Sequence, residues 1–167
     1  MRSIITLCLF ALLSPLATAD DGVDVYLSGG LATGELKIDN GPTPDTDGVF
    51  ANIMATWGDG ASVRFGWTGQ DTDGTAELER FDVGVGWTFR RDTSFRPFIF
   101  GGFAVTTVED SSIGLDDRSQ GATATVGFTA GGERHGFYFD ASYDFSMDIE
   151  GVEYDAIGLR SGYALRF

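Results

Sequence analysis

The chain has 167 residues, with 25 acidic against 11 basic side chains, one His, one Cys, 24 Gly and 4 Pro. The length suits one domain, and a formal charge of -14 excludes a nucleic-acid partner, because phosphate binding needs a basic footprint. A lone Cys excludes a disulfide framework and a Cys-rich zinc site, and a lone His excludes paired-His metal motifs; no cofactor and no metal ion is expected.

Residues 1–19 read as an export signal. Arg2 supplies the positive start, Ile4 to Leu13 is almost wholly apolar, and Ala17-Thr18-Ala19 fits the small-x-small cleavage pattern before Asp20. The apolar run is shorter than the roughly 20 residues a membrane-spanning helix needs. Cys8 leaves with this segment, so residues 20–167 form one Cys-free domain, which suits an oxidising compartment. Any passage of that domain through a membrane must use strands.

From Val23 onward the hydrophobic period is two. Val23, Val25, Leu27 and Leu31 mark the first strand; Val49, Ala51, Ile53, Ala55 and Trp57 mark the second; Val63, Phe65 and Trp67 mark the third. Phe81, Val83, Val85, Trp87 and Phe89 follow. Residues 97–108 are apolar on both faces, Phe98 and Phe100 against Ile99, Phe103 and Val105, so their inward set stays open. Ala122, Ala124, Val126, Phe128 and Ala130 form the next set. The clearest segment comes after it. Phe137, Phe139, Ala141, Tyr143, Phe145 and Met147 alternate with Tyr138, Asp140, Ser142, Asp144, Ser146 and Asp148, which is a strand with two chemically different faces. Ile157, Leu159, Tyr163, Leu165 and Phe167 close the series.

Short turns are expected at Gly58-Asp59-Gly60, around Arg90 to Phe95, and at Gly131 to Arg134, with longer polar loops at about 36–48, 70–78, 109–121 and 148–155. Eight strands joined by alternating short and long hairpins make an all-β, antiparallel up-and-down barrel. Such alternation serves a soluble lipocalin-like ligand binder as well as a transmembrane barrel. Three features choose the second. The non-apolar faces are small and carry few charges, as in Thr123, Thr125, Gly127 and Thr129, and Lys37 is the chain's one Lys; a solvated face would carry many more. Trp57, Phe81, Trp87, Phe89, Phe137, Tyr163 and Phe167 lie on the apolar set as interfacial girdles do. The chain stops on an aromatic residue.

That last strand, with Leu159, Tyr163, Leu165 and the terminal Phe167 at alternate positions, resembles the assembly signal of bacterial outer-membrane barrels. Arg96-Pro97-Phe98-Ile99-Phe100-Gly101-Gly102 is similar to a strand entry of the small OmpA-like, OmpX and opacity-type proteins. The resemblance spans residues 20–167. It implies an eight-stranded transmembrane barrel in the outer membrane of a Gram-negative bacterium, inserted as a monomer by the barrel-assembly machinery among lipid and lipopolysaccharide. Both termini and the short turns would then face the periplasm, and the longer loops would face outward. Relatives that anchor to peptidoglycan carry a further domain; here nothing follows Phe167, so that role is not expected.

The inward set contains Arg64, Asp82, Asp140, Asp144 and Arg160. Eight strands leave an interior that side chains just fill, so these charges are expected to pair in a network that plugs the lumen. Asp140 and Asp144, four residues apart on a strand, stand roughly 13 Å apart, too far for a glycosidase pair. His135 falls beside Arg134 in a periplasmic turn, away from the outer leaflet where a lipid A-modifying enzyme would work, and no catalytic residue is assigned. Asp45-Thr46-Asp47-Gly48 recurs as Asp71-Thr72-Asp73-Gly74, half of a calcium loop, which makes Asp45, Asp47, Asp71 and Asp73 candidate loop contacts for cations. Lys37, Arg80 and Arg118 are placed with the acidic outer loops, whereas Arg90, Arg91, Arg96, Arg134 and Arg166 gather toward the periplasmic side. The expected function is non-enzymatic: envelope integrity or surface interaction through acidic loops. A narrow porin-like conduit for small or hydrophobic solutes is the alternative.

Overall fold

The computed structural model describes residues 22–38, 41, 43–72, 76–90, 92–110, 115–149 and 152–167. The export signal and Asp73 lie outside them. The strands are β1 (Asp24–Ile38), β2 (Asp45–Thr56), β3 (Ala61–Thr72), β4 (Ala76–Thr88), β5 (Phe95–Asp110), β6 (Leu115–Gly131), β7 (His135–Ile149) and β8 (Val152–Arg166). Each pairs antiparallel with its neighbours in chain order, and β8 returns to β1, so the sheet is a closed barrel. Closure uses the last residue too: Phe167 N–H donates to Val25 C=O at 2.9 Å. Among the described residues no strand edge is left for another chain to pair with.

Period-two sequence gives period-two burial. Along β3, Ser62, Arg64, Gly66 and Thr68 are buried while Phe65 is exposed. Along β5 the open phase resolves with Phe98, Phe100, Ala104, Thr106 and Val108 inward and Ile99 and Phe103 outward. Interior aromatics need room across the wall, and glycine provides it: a Cβ on Gly127 would stand 2.7 Å from Phe98 Cζ, and one on Gly86 2.8 Å from Phe100 Cδ1.

The near rim carries the start of β1, the end of β8 and the turns at 57–60, at 89–90 with 92–94, and at 132–134. In the first of these, Gly60 N–H donates to Trp57 C=O at 2.9 Å and Ala61 N–H to Asp59 Oδ1 at 3.0 Å. Gly60 sits at φ +101°, and its Cβ would collide with Trp87 and Thr88, so only glycine fits there.

The far rim departs from the sequence reading in two ways. The long loops contract, because β1 runs to Ile38, β2 starts at Asp45, and β3 and β4 reach Thr72 and Ala76. Polar residues continue the ladder, since backbone pairing does not require an apolar face. The second departure is in β7, where the register with β8 shifts between Asp144 and Met147. A bulge adds one residue and reverses the phase, so Met147 points inward and is fully buried instead of joining Phe145 outside.

Candidate functional site

The interior is layered from the near rim upward. The hydroxyls of Thr56, Ser62 and Thr88 form a closed triangle with sides of 2.9–3.2 Å. Above it lies an aromatic layer in which Tyr138 meets Phe50 and Phe98 at ring-centroid distances of 5.5 and 5.6 Å, and Phe98 meets Phe100 at 5.5 Å. Two guanidiniums cap that layer, Arg64 at 5.6 Å from the Phe100 ring and Arg160 at 6.0 Å from Phe50, a geometry favourable for cation–π attraction.

Next comes the charge cluster. Arg64, Asp82, Asp140, Asp144 and Arg160 all point inward, and Arg80 joins them; none is more than 8% exposed. Arg64 donates from Nη1 to Asp140 Oδ2 at 2.8 Å and from Nη2 to Asp82 and to Thr125 Oγ1, the last at 3.0 Å. Arg160 grips Asp140 with Nε and Nη2 at 2.8 and 2.9 Å and reaches Asp82 at 3.2 Å. Arg80 holds Asp144 through Nε and Nη2 at 2.7 and 2.8 Å, Thr123 Oγ1 at 3.1 Å, and Asp82 through Nη1. Tyr138 donates its hydroxyl proton to Asp140. Three guanidiniums thus face three carboxylates with two bidentate pairs, so desolvation is met by direct neutralisation.

Arg80 is the member that sequence reasoning placed among the loop charges. Its phase was the available signal, for it shares parity with Asp82 and Leu78. Asp140 and Asp144 are bridged to different arginines and to no common group among the described hydrogen bonds. Toward the far rim the cluster opens on a cavity of about 30 Å³ lined by Thr46, Thr68, Gln70, Ser142, Arg80 and Arg160, room for a water molecule or two.

The outer face reverses this polarity. Leu31, Phe65, Val85, Ile99, Phe103 and Val126 are exposed, Leu31 by 69% and Phe103 by 67%. Toward the near rim this belt is bordered by exposed Trp57, Trp87, Phe89, Phe137, Tyr163 and Phe167. Toward the far rim Trp67, opposite Phe81, donates Nε1–H to Glu79 at 2.9 Å, and Tyr143 donates its hydroxyl to Asp155 at 2.5 Å. Leu159, Tyr163, Leu165 and Phe167 share the outer face at β8. His135 is exposed at the near rim, its Nδ1 in hydrogen-bond contact with the Tyr163 hydroxyl.

The candidate cation contacts within the described residues are not in a loop. Asp45 and Asp47 lie in β2 and Asp71 in β3, and the inward Thr46 separates the first two, so extended backbone replaces the turn that a calcium loop needs. Carboxylates oppose one another across the strands instead: Asp47 faces Asp71, Asp71 faces Glu77, Glu77 faces Glu109, and Glu35 faces Asp45. Among the described residues, no group of three or more acidic, His or Cys side chains is placed to hold a metal ion.

No protein-family model matches the chain, and no curated protein matches its sequence. Solved structures do match. Neisserial surface protein A superposes with a TM-score of 0.66 at 14% identity, covering 88% of this chain and 100% of that one. The Ail attachment invasion locus protein of Yersinia pestis, in complex with the heparin analogue sucrose octasulfate, gives 0.60 at 17% identity over 87% of this chain and 99% of that one. The outer membrane protein OprG from Pseudomonas aeruginosa gives 0.58 at 15% identity over 88% and 97%. The chain therefore has the eight-stranded barrel fold found in small outer-membrane proteins.

Proposed function

We propose that this chain is a non-enzymatic integral protein of a Gram-negative outer membrane, exported by residues 1–19, with a lumen plugged by its own side chains. The observation that carries the reading is the inverted polarity of the barrel: apolar side chains cover the outside between two aromatic borders, while three arginines and three aspartates lie buried inside. In lipid only a closed barrel or a helix satisfies its backbone, and strands of 12–17 residues exceed the 9–11 that a tilted crossing needs. The near rim then faces the periplasm, and the acidic far rim faces outward among lipopolysaccharide headgroups. Its role there is envelope integrity or surface interaction. A polyanion such as the one bound to Ail would meet like charge at this rim, so a partner of that kind is not part of the proposal. Tyr163 as the neighbour of His135, at the rim away from the outer leaflet, supports a structural part for that histidine rather than acyl chemistry.

One observation favours a narrow conduit, the cavity that brings the far rim down to Arg80 and Arg160. Planar-bilayer recording on the refolded protein separates the two readings. A plugged barrel gives no steady conductance. Steady conductance that disappears in an Arg64 or Asp140 variant would establish the conduit.

A further inference from the structure

Polar groups on three successive strands sit inside the barrel without a protein hydrogen-bond partner. Ser28 of β1 and Asn52 of β2 are directly opposed in register, both inward and both 3% exposed. The Ser28 hydroxyl, both polar atoms of the Asn52 amide and the Nε of Arg64 have no protein partner, although the terminal nitrogens of Arg64 are engaged by Asp82, Asp140 and Thr125. Opposed inward positions place Cβ atoms about 5 Å apart, with diagonal neighbours still in reach of long side chains. Arg64 of β3 stands on that diagonal, opposite Met54 of β2, one inward position from Asn52.

The surrounding wall is small. Gly66 faces Asn52, Ala164 faces Ser28, and Gly30 faces Gly162 beside them, whereas Phe98, Phe100 and Tyr138 occupy β5 and β7. Phe50 and Met54 flank Asn52 along β2 and Tyr26 precedes Ser28 on β1, all buried, so these unpartnered groups sit among apolar side chains with no water reaching them from the rim. Asn52 alone offers two donors and two acceptors, Ser28 one donor and two lone pairs, and Arg64 Nε one donor. Burying such groups unpaired costs free energy, and a shared water with two to four polar partners removes that cost.

We propose that Ser28, Asn52 and Arg64 Nε form a buried hydration site whose ordered water lets Asn52 position Arg64 within the charge cluster. Water accepts a hydrogen bond from Arg64 Nε–H and donates one to Asn52 Oδ1, while the Asn52 amide N–H donates toward the Ser28 hydroxyl or a second water. Asn52 acts here as a positioning residue. The site is independent of whether the lumen conducts.

Water-selective nuclear Overhauser spectra of the full chain, refolded in detergent micelles, test it. Long-lived water cross-peaks are expected at Arg64 Nε–H and at the Asn52 side-chain amide. In Asn52→Leu the Arg64 cross-peak is lost, its Nε resonance shifts, and the urea midpoint falls, because Ser28 and Arg64 Nε lose their bridge; Asn52→Ser retains the Arg64 cross-peak. Absence of both cross-peaks in the unsubstituted protein overturns the proposal whether or not the variants fold. A rise in midpoint for Asn52→Leu also overturns it, because a dry unpaired amide gains from apolar replacement.

Discussion

Asp140 accepts four hydrogen bonds, against three at Asp82 and two at Asp144 among the described contacts. It takes two bonds from Arg160, one from Arg64 and one from Tyr138, and it is fully buried. Truncating one partner of a buried ion pair leaves the other charge uncompensated, at a cost on the order of 3–5 kcal/mol. Asp140→Ala should lose stability of that order in urea titrations of the refolded protein, since Arg64 and Arg160 would then have only Asp82, which Arg80 already engages. Asp71→Asn at the far rim should leave stability unchanged or slightly raised, because Asp71 is exposed and faces Asp47 and Glu77. Equal losses in the two variants would contradict the contrast between a paired interior and a solvated rim. Five of the six cluster residues were legible from alternation, whereas Arg80 was hidden by its nearness to Glu77 and Glu79, which made local charge density look like a loop. Neither Ser28 nor Asn52 carried a sequence signal, because an isolated small polar residue on an inward face is ordinary until its neighbours are known.

At the scale of the element, the strands were readable and their phases less so. β5 was ambiguous because Phe98 and Phe100 build an interior aromatic layer, and nothing in β5 itself reveals that Gly86 and Gly127 have made room for it. In β7 the bulge leaves the sequence alternation unbroken while the chain turns over, so Met147 continues the apolar rhythm yet enters the core. Strand ends were misjudged because polar residues extend the ladder beyond the apolar belt. β8 makes a sharper prediction. Phe167 pairs its backbone with Val25 and completes the outer aromatic border, so deleting it should lower outer-membrane yield and raise periplasmic degradation, both readable by fractionation and immunoblot. Normal assembly of the truncated chain would remove the assembly role from the last strand.

The whole molecule separates its polarities by position. Ion pairs and aromatics fill the lumen, an apolar belt with aromatic borders surrounds it, and opposed carboxylates from Glu35 to Glu109 ring much of the far rim. Like charges directly opposite one another weaken strand pairing, so that rim retains its acids at some cost to stability. The barrel followed from the period-two alternation and its hairpin spacing, and the inside-out polarity from the scarcity of Lys, the aromatic placement and the aromatic last residue. The rim's true arrangement depended on register, which composition does not reveal. Such a separation of polarities suits a closed barrel embedded in the outer membrane. Gel electrophoresis of the isolated outer-membrane fraction, unboiled against boiled, tests it most directly. A compact, fast-migrating band that shifts on boiling is expected; recovery of the protein in the soluble periplasmic fraction, with the same mobility before and after heating, would rule the embedded barrel out.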